Sequence, residues 1–204
     1  PFLQDPRLPS KVTVSALVGN PPTLERCPAF MLENQPLSPA QRGTATHILM
    51  EHIPLSPHTA ASVRASLQAL QNQGLLSPAQ AEAVYAPAIA AFFQSDLGQR
   101  LCKAQQVERE LAFSCRLPAQ ALGFAGSQAS VLLQGSIDCC FLEPDGWVLV
   151  DYKTDFVSPG QEQQAAQAHV RQLQLYALAL AEITRKPVKE RYVALLRTGA
   201  AVPV

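Results

Sequence analysis

The chain is predicted to fold as an α/β domain, a mixed β-sheet flanked by helices, with N-terminal helical segments and an irregular arm in front. Helix-start signals crowd the first half, and apolar runs rich in β-branched residues, joined by a tight turn, follow them. One long helical stretch then separates the last two strand-like runs, the connection that a parallel pair of strands needs.

The elements follow in order. Residues 1–37 are punctuated by Pro1, Pro6, Pro9, Pro21, Pro22, Pro28 and Pro36 and read as an arm or linker, with one short helix starting near Ser15; residues 38–204 form the domain proper. Ser38-Pro39 is a cap followed by proline at the first helical position, which predicts a helix to about His52, where Pro54 stops it. That helix carries Gly43, His47 and Glu51 along one face. A second helix runs from Thr59 to Asn72, with Gly74 past its end. Ser77-Pro78 repeats the cap signal and opens a third helix to about Gln94, and Asp96 starts a short fourth helix to Lys103. Strand patterns cover 108–117, 130–142 and 147–153. The turn Glu143-Pro-Asp-Gly146 makes the last two a hairpin. A helix from about Gln161 to Thr184 is broken by Lys186-Pro187, and a final strand covers 191–197.

Composition sets bounds on function. With 48% hydrophobic and 16% charged residues over 204 positions, the chain suits a folded domain with a sizeable core rather than a disordered one. It has no stretch apolar and long enough to span a bilayer and no leader pattern, so membrane partners are not expected. The start at Pro1 suggests a fragment of a larger protein. Net charge is zero with a pI near 7.3, unusual for a free-standing nucleic-acid binder, although six basic residues face two acids from Arg171 onward. A weakly charged domain of that kind is best delivered to its substrate by an attached module. The alternative for the basic residues is a solvated face.

Cys27, Cys102, Cys115, Cys139 and Cys140 show no metal-binding spacing, which predicts reduced thiols, a cytoplasmic setting and no iron–sulfur cluster. Cys139 and Cys140 should face opposite sides of a strand, one in the core and one near the site proposed below.

Two strand-like runs end in acids. Gly135-Ser-Ile-Asp138 and Trp147-Val-Leu-Val-Asp151-Tyr-Lys153 place Asp138 and Asp151 on neighbouring strands, with Lys153 on the same face as Asp151 and Tyr152 opposite. A hard divalent ion needs oxygen ligands, which the two carboxylates and the Tyr152 backbone carbonyl can offer. Such an ion polarises a phosphate oxygen and activates water, and Lys153 orients that water or offsets developing charge. The bland reading of Asp151 and Lys153 is a surface pair worth under about 1 kcal/mol.

Together with Gly43-Thr-Ala-Thr-His47, Arg109-Glu110-Leu-Ala-Phe113, Asp151-Tyr-Lys153-Thr-Asp155 and Gln172-Leu-Gln-Leu-Tyr176, these residues resemble the RecB-like branch of the PD-(D/E)XK nucleases. The order and spacing are similar to the C-terminal nuclease domains of AddA-type helicase/nucleases, and Leu8-Pro-Ser-Lys11-Val-Thr-Val-Ser15 resembles the linker before such a domain. The resemblance implies a restriction-endonuclease-like fold and a Mg²⁺-dependent (or Mn²⁺- or Ca²⁺-binding) deoxyribonuclease. It makes His47, Asp138 and Asp151 metal ligands and Lys153 the catalytic lysine. Gln172 and Tyr176 would line the site and position DNA or the catalytic groups, and Glu110 matches a family acid whose reach to the metal stays open. His169 stands where this branch commonly has tyrosine. The resemblance also implies a bacterial, cytoplasmic parent that exonucleolytically processes double-strand breaks with an AddB-like partner. ATP would serve that parent only, because no G-x-x-x-x-G-K-[ST] loop occurs here. An independent endonuclease and a catalytically silent DNA-binding or scaffold module are the rival readings.

Overall fold

The computed structural model describes residues 8–19 and 37–204; residues 1–7 and 20–36, Cys27 and most of the expected arm among them, lie outside the described residues. The described part of the arm contributes to the fold. Strand β1 (Lys11–Thr13) is followed by the short helix α1 (Val14–Leu17), capped by the Thr13 hydroxyl.

Helices α2 (Pro39–His52) and α3 (Ala60–Asn72) begin where the cap signals place them, each with a reciprocal capping box, Ser38 with Gln41 and Thr59 with Ser62. The helix expected from Ser77 to Gln94 is instead two, α4 (Pro78–Ala83) and α5 (Ala86–Gln94). Pro87 explains the break, because proline lacks an N–H and pushes the residues before it out of helical geometry. Tyr85 is left at the corner with φ −81° and ψ 86°. Helix α6 (Asp96–Lys103) follows, capped by Ser95.

The sheet has six strands: β1, β2 (Gln106–Pro118), β3 (Ser130–Glu143), β4 (Gly146–Lys153), β5 (Val188–Leu195) and β6 (Ala200–Pro203). Strand β2 pairs antiparallel along nearly all of β3, whose other edge is shared by β1 and β4. The β4–β5 pair is parallel, as the helical crossover requires, and β6 closes the far edge antiparallel to β5. The crossover expected as one helix is α7 (Glu162–Gln167) and α8 (Val170–Thr184). They follow different surfaces: α7 lies against β6, while α8 lies against β2 and β5. The short strands β1 and β6 were not expected from sequence.

Two cores sandwich the sheet. On one side Leu49, Val63, Phe92 and Phe93 of the helical layer meet Phe141, Val150 and Tyr152; on the other Leu173, Tyr176 and Leu180 of α8 meet Ile137, Leu149 and Val193. Strand alternation should keep Ile137 and Cys139 on one face, yet Ile137 belongs to the α8 side and Cys139 to the helical layer. Across the ladder, Val107 and Leu111 are divided in the same way. The switch falls at Asp138 and at Glu110, whose backbone is left-handed at φ 49°. Holding a non-glycine residue there costs on the order of 1–3 kcal/mol, a cost typical of functional sites.

Arg109, beside that switch, ties α2 to the sheet. Its guanidinium donates to the Met50 and Ile53 carbonyls at 3.2 and 2.7 Å, satisfying the end of the helix where carbonyls lack partners. Replacing Arg109 by Leu is expected to lower the unfolding free energy by about 1–3 kcal/mol, since two carbonyls lose a charged donor. Urea denaturation of the pair of proteins measures this.

Candidate active site

The site is built where β3 and β4 part company. Their ladder ends at Cys139 opposite Val150, and beyond it the main chain of Tyr152 has no β3 partner. The Asp138 side chain fills the gap: its Oδ2 accepts the Tyr152 N–H at 2.7 Å. In a strand the N–H and C=O of one residue point to the same side, so the Tyr152 carbonyl faces the same gap. The Tyr152 ring is buried in the helical core, edge-on to Phe92 at 5.9 Å and to His47 at 6.1 Å. One residue thus fixes an acid through its backbone and the histidine helix through its ring.

His47 reaches the gap from α2. Gly43, one turn earlier, allows the close approach, because a Cβ there would lie 3.2 Å from Thr154 Oγ1. His47 Nδ1 is 3.3 Å from Glu110 Oε1 and 3.7 Å from Asp138 Oδ1. Ligand atoms of His47, Glu110 and Asp138 all fall within 4.8 Å of one another. The Glu110 strand position left its reach open; its left-handed backbone puts it opposite Asp138 and into this cluster, where Ser136 Oγ donates to it at 3.4 Å.

Asp151 is turned differently. It is only 1% exposed, sits outside that three-residue cluster and lies 2.6 Å from Lys153 Nζ as an ion pair. Neither of its oxygens accepts a hydrogen bond of good geometry. A buried carboxylate so poorly satisfied is costly unless a cation completes it. The donor set of two aspartates, a glutamate, an imidazole and a main-chain carbonyl is the oxygen-rich kind that suits a hard or borderline divalent ion.

The lysine is held by a chain of contacts from α8. Lys153 Nζ donates to Gln172 Oε1 at 3.3 Å, and Gln172 Nε2 donates to the Tyr176 hydroxyl at 3.0 Å. The Tyr176 ring stands edge-on to Phe113 at 6.0 Å. Phe113 in turn needs Gly135 across the ladder, where any Cβ would meet its ring at 2.9 Å. The roles of Gly135 and Phe113 were missed from sequence, although both lie inside the quoted motifs. Cys139 and Cys140 are both fully buried on opposite faces, and burial pushes the Cys139 thiol up to about 12. Neither belongs to the ligand cluster.

Charge crowding shifts the protonation of these groups. Burial, then the neighbouring Asp151 charge, raises Asp138 from 3.8 to about 7. Burial pulls His47 down, but its hydrogen bond to Glu110 and the Asp138 charge outweigh that and leave it raised. A groove of about 580 Å³ lined by Gly43, His47, Glu51, Glu110 and Ser136 opens at this cluster. A larger cavity of about 800 Å³ lies at the other end of β4, around Arg100, Glu143 and Gly146, away from these groups.

Comparison with known proteins gives a consistent result. A family model described as the PD-(D/E)XK nuclease superfamily matches residues 23–202. The chain is 42% identical over 188 residues to an ATP-dependent helicase/nuclease subunit from Desulforamulus reducens, covering 90% of this chain and 15% of that protein. It is 43% identical over 197 residues to the same-named protein of Geobacillus kaustophilus (91% and 16%). Against that of Acetivibrio thermocellus it is 33% identical over 219 residues (98% and 17%). The chain therefore spans roughly one sixth of the length of these relatives.

These shifts predict how the metal-free protein responds to pH. The stability that raised Asp138 contributes is complete below 3.8 and is lost as pH rises through about 7. Raised His47 acts with the same sign, contributing below 6.5 and losing its contribution as pH passes its higher folded value. In EDTA, moving from about pH 5 to about pH 8 should lower the unfolding free energy by on the order of 1–3 kcal/mol. Asp138→Asn should flatten most of that slope, as followed by urea titration at each pH.

Proposed function

Because the chain belongs to the PD-(D/E)XK nuclease superfamily, we propose that it is a divalent-metal-dependent deoxyribonuclease domain that hydrolyses phosphodiesters as an exonuclease. The observation that carries the reading is the buried, hydrogen-bond-poor Asp151 beside Lys153, one gap away from the His47–Glu110–Asp138 cluster. Asp138, Asp151, His47 and the Tyr152 carbonyl would hold the ion, Mg²⁺ in the cell with Mn²⁺ or Ca²⁺ as substitutes, and Glu110 is placed to join them. The bound ion would supply Lewis acidity toward a phosphate oxygen and lower the pKa of a coordinated water.

The chain's own groups do the rest. Asp138, which burial and the Asp151 charge keep protonated up to about 7, would give up that proton on acting as a ligand. Lys153 is held beside the opening in the sheet by Asp151 and Gln172, and its ammonium has a third donor to offer a substrate. There it orients the attacking water and offsets the negative charge that grows on the phosphate. Tyr176 fixes the Gln172 amide, so both act as positioning residues.

The relatives' name supports a wider setting. We propose a place for this domain in a bacterial, cytoplasmic helicase/nuclease that processes DNA double-strand breaks for recombination, with ATP consumed by the motor and an AddB-like partner. No helix among the described residues is long and apolar enough to cross a membrane.

Cleavage of end-labelled single-stranded DNA in Mg²⁺ tests the reading. Asp151→Ala and Lys153→Ala should each lower the rate by at least about a hundredfold, and EDTA should abolish it. Tyr176→Phe keeps the ring but loses the hydroxyl, and should cost roughly tenfold in kcat with little change in KM, as expected of a group that orients another. Cleavage that survives Asp151→Ala would refute the assignment.

A further inference from the structure

Several cations of this neutral chain are internally paired. Arg100 is clamped by Glu143 and Glu190, Lys189 by Glu143 and Asp145, and Arg185 by Glu182. Arg171 and Arg191 donate to the Leu122 and Val204 carbonyls. The basic residues after Arg171 thus mostly serve the fold. Arg197 is different: it is exposed in the turn between β5 and β6, and no carboxylate is seen paired with it among the described residues.

Arg197 shares a notch of about 20 Å³ with Arg42, Thr46, Thr154 and Tyr85. Arg42 is pre-positioned, because its Nη1 donates to the Leu37 carbonyl at 2.7 Å, and no carboxylate is seen paired with it among the described residues. Among the described residues no acid lines the notch. Two guanidinium groups around a small concavity without a carboxylate repel each other and favour an anion between them, and a guanidinium fork suits phosphate. Thr154 directly follows Lys153, and its hydroxyl would lie 3.2 Å from a Cβ at Gly43 of α2, so the notch adjoins the active site. Its size fits phosphate oxygens rather than a base.

The rim supplies the second half of the argument. Tyr85, held at the α4–α5 corner that Pro87 enforces, is 56% exposed. Phe156, in the loop leaving β4 three residues after Lys153, is 77% exposed. A solvent-facing tyrosine beside two arginines that no carboxylate is seen to neutralise among the described residues is the combination that binds unpaired nucleic-acid strands, through base stacking and backbone contacts. A duplex offers no free base faces to such rings.

We infer that Arg42, Arg197 and Tyr85 form a single-strand-binding subsite, which seats a backbone phosphate beside Thr154 and stacks the attached base on Tyr85. The inference rests on the nuclease reading for its substrate and extends it to the strand's form and its path into the site.

The test is fluorescence anisotropy with labelled oligo(dT) on the intact protein, in Ca²⁺ on a Lys153→Ala background that stops cutting. Tyr85→Ala should weaken binding about 5- to 100-fold and Tyr85→Phe by less than about twofold. Arg197→Ala should weaken it and reduce the slope of log K against log salt by about 0.7, the signature of one lost phosphate contact. Affinity unchanged in Tyr85→Ala and Arg197→Ala would overturn the subsite, and equal losses for a blunt duplex of the same length would overturn the single-strand assignment. A parallel Mg²⁺ cleavage assay without the Lys153 change keeps the two ideas apart. An actively cleaving protein with unaffected binding refutes the subsite alone. Binding losses in a protein that never cleaves refute the nuclease reading and leave the subsite in place.

Discussion

The hydrogen bond from the Tyr152 N–H to the Asp138 carboxylate is the interaction on which the rest of the site depends. Where a further rung of main-chain pairing would close β3 onto β4, a side chain takes its place. The sheet therefore opens without leaving a buried N–H unsatisfied, which would cost on the order of 1–3 kcal/mol. Everything chemical is arranged around that opening. Asp151 continues β4 on one side, Glu110 enters from β2, and His47 comes down from α2 over the Tyr152 ring.

Such a site is stable only under strain and charge crowding that other parts of the protein offset. Glu110 holds a left-handed backbone, Asp138 retains a proton to about pH 7, and Asp151 is buried with Lys153 as its counter-charge. The offsets are the two cores packed on either face of β4, and Arg109, which anchors the helix carrying His47 to the strand carrying Glu110. At the far end of β4, Arg100 bridges Glu143 and Glu190 across β3 and β5. That clamp lowers Glu143 to about 2 through its hydrogen bonds to Arg100 and keeps the sheet closed where no chemistry occurs.

Much of this was legible in the chain itself, because local chemistry governs it. Ser-Pro caps mark α2 and α4, the Glu-Pro-Asp-Gly turn marks the β3–β4 hairpin, and strand alternation separates Lys153 and Asp151 from Tyr152. Pro87 carried the signal for the α4–α5 break, though the apolar pattern continues across it. Less legible were features set by tertiary contact. Strands β1 and β6 span three and four residues, too few to show a period, and exist because a neighbouring strand offers an edge. Glu110 joins the cluster through a backbone conformation that its residue type disfavours. Gly135 and Phe113 act across a ladder, and which arginines pair internally depends on the whole fold.

The central claim is that this opening in the sheet is a metal site, and calorimetric titration with Mn²⁺ near neutral pH tests it most directly. The account predicts saturable binding accompanied by release of a proton from Asp138, read from the dependence of the heat on buffer ionisation, and loss of binding in Asp151→Asn. Saturable binding that persists unchanged in Asp151→Asn, or a folded protein that binds no divalent ion, would contradict it.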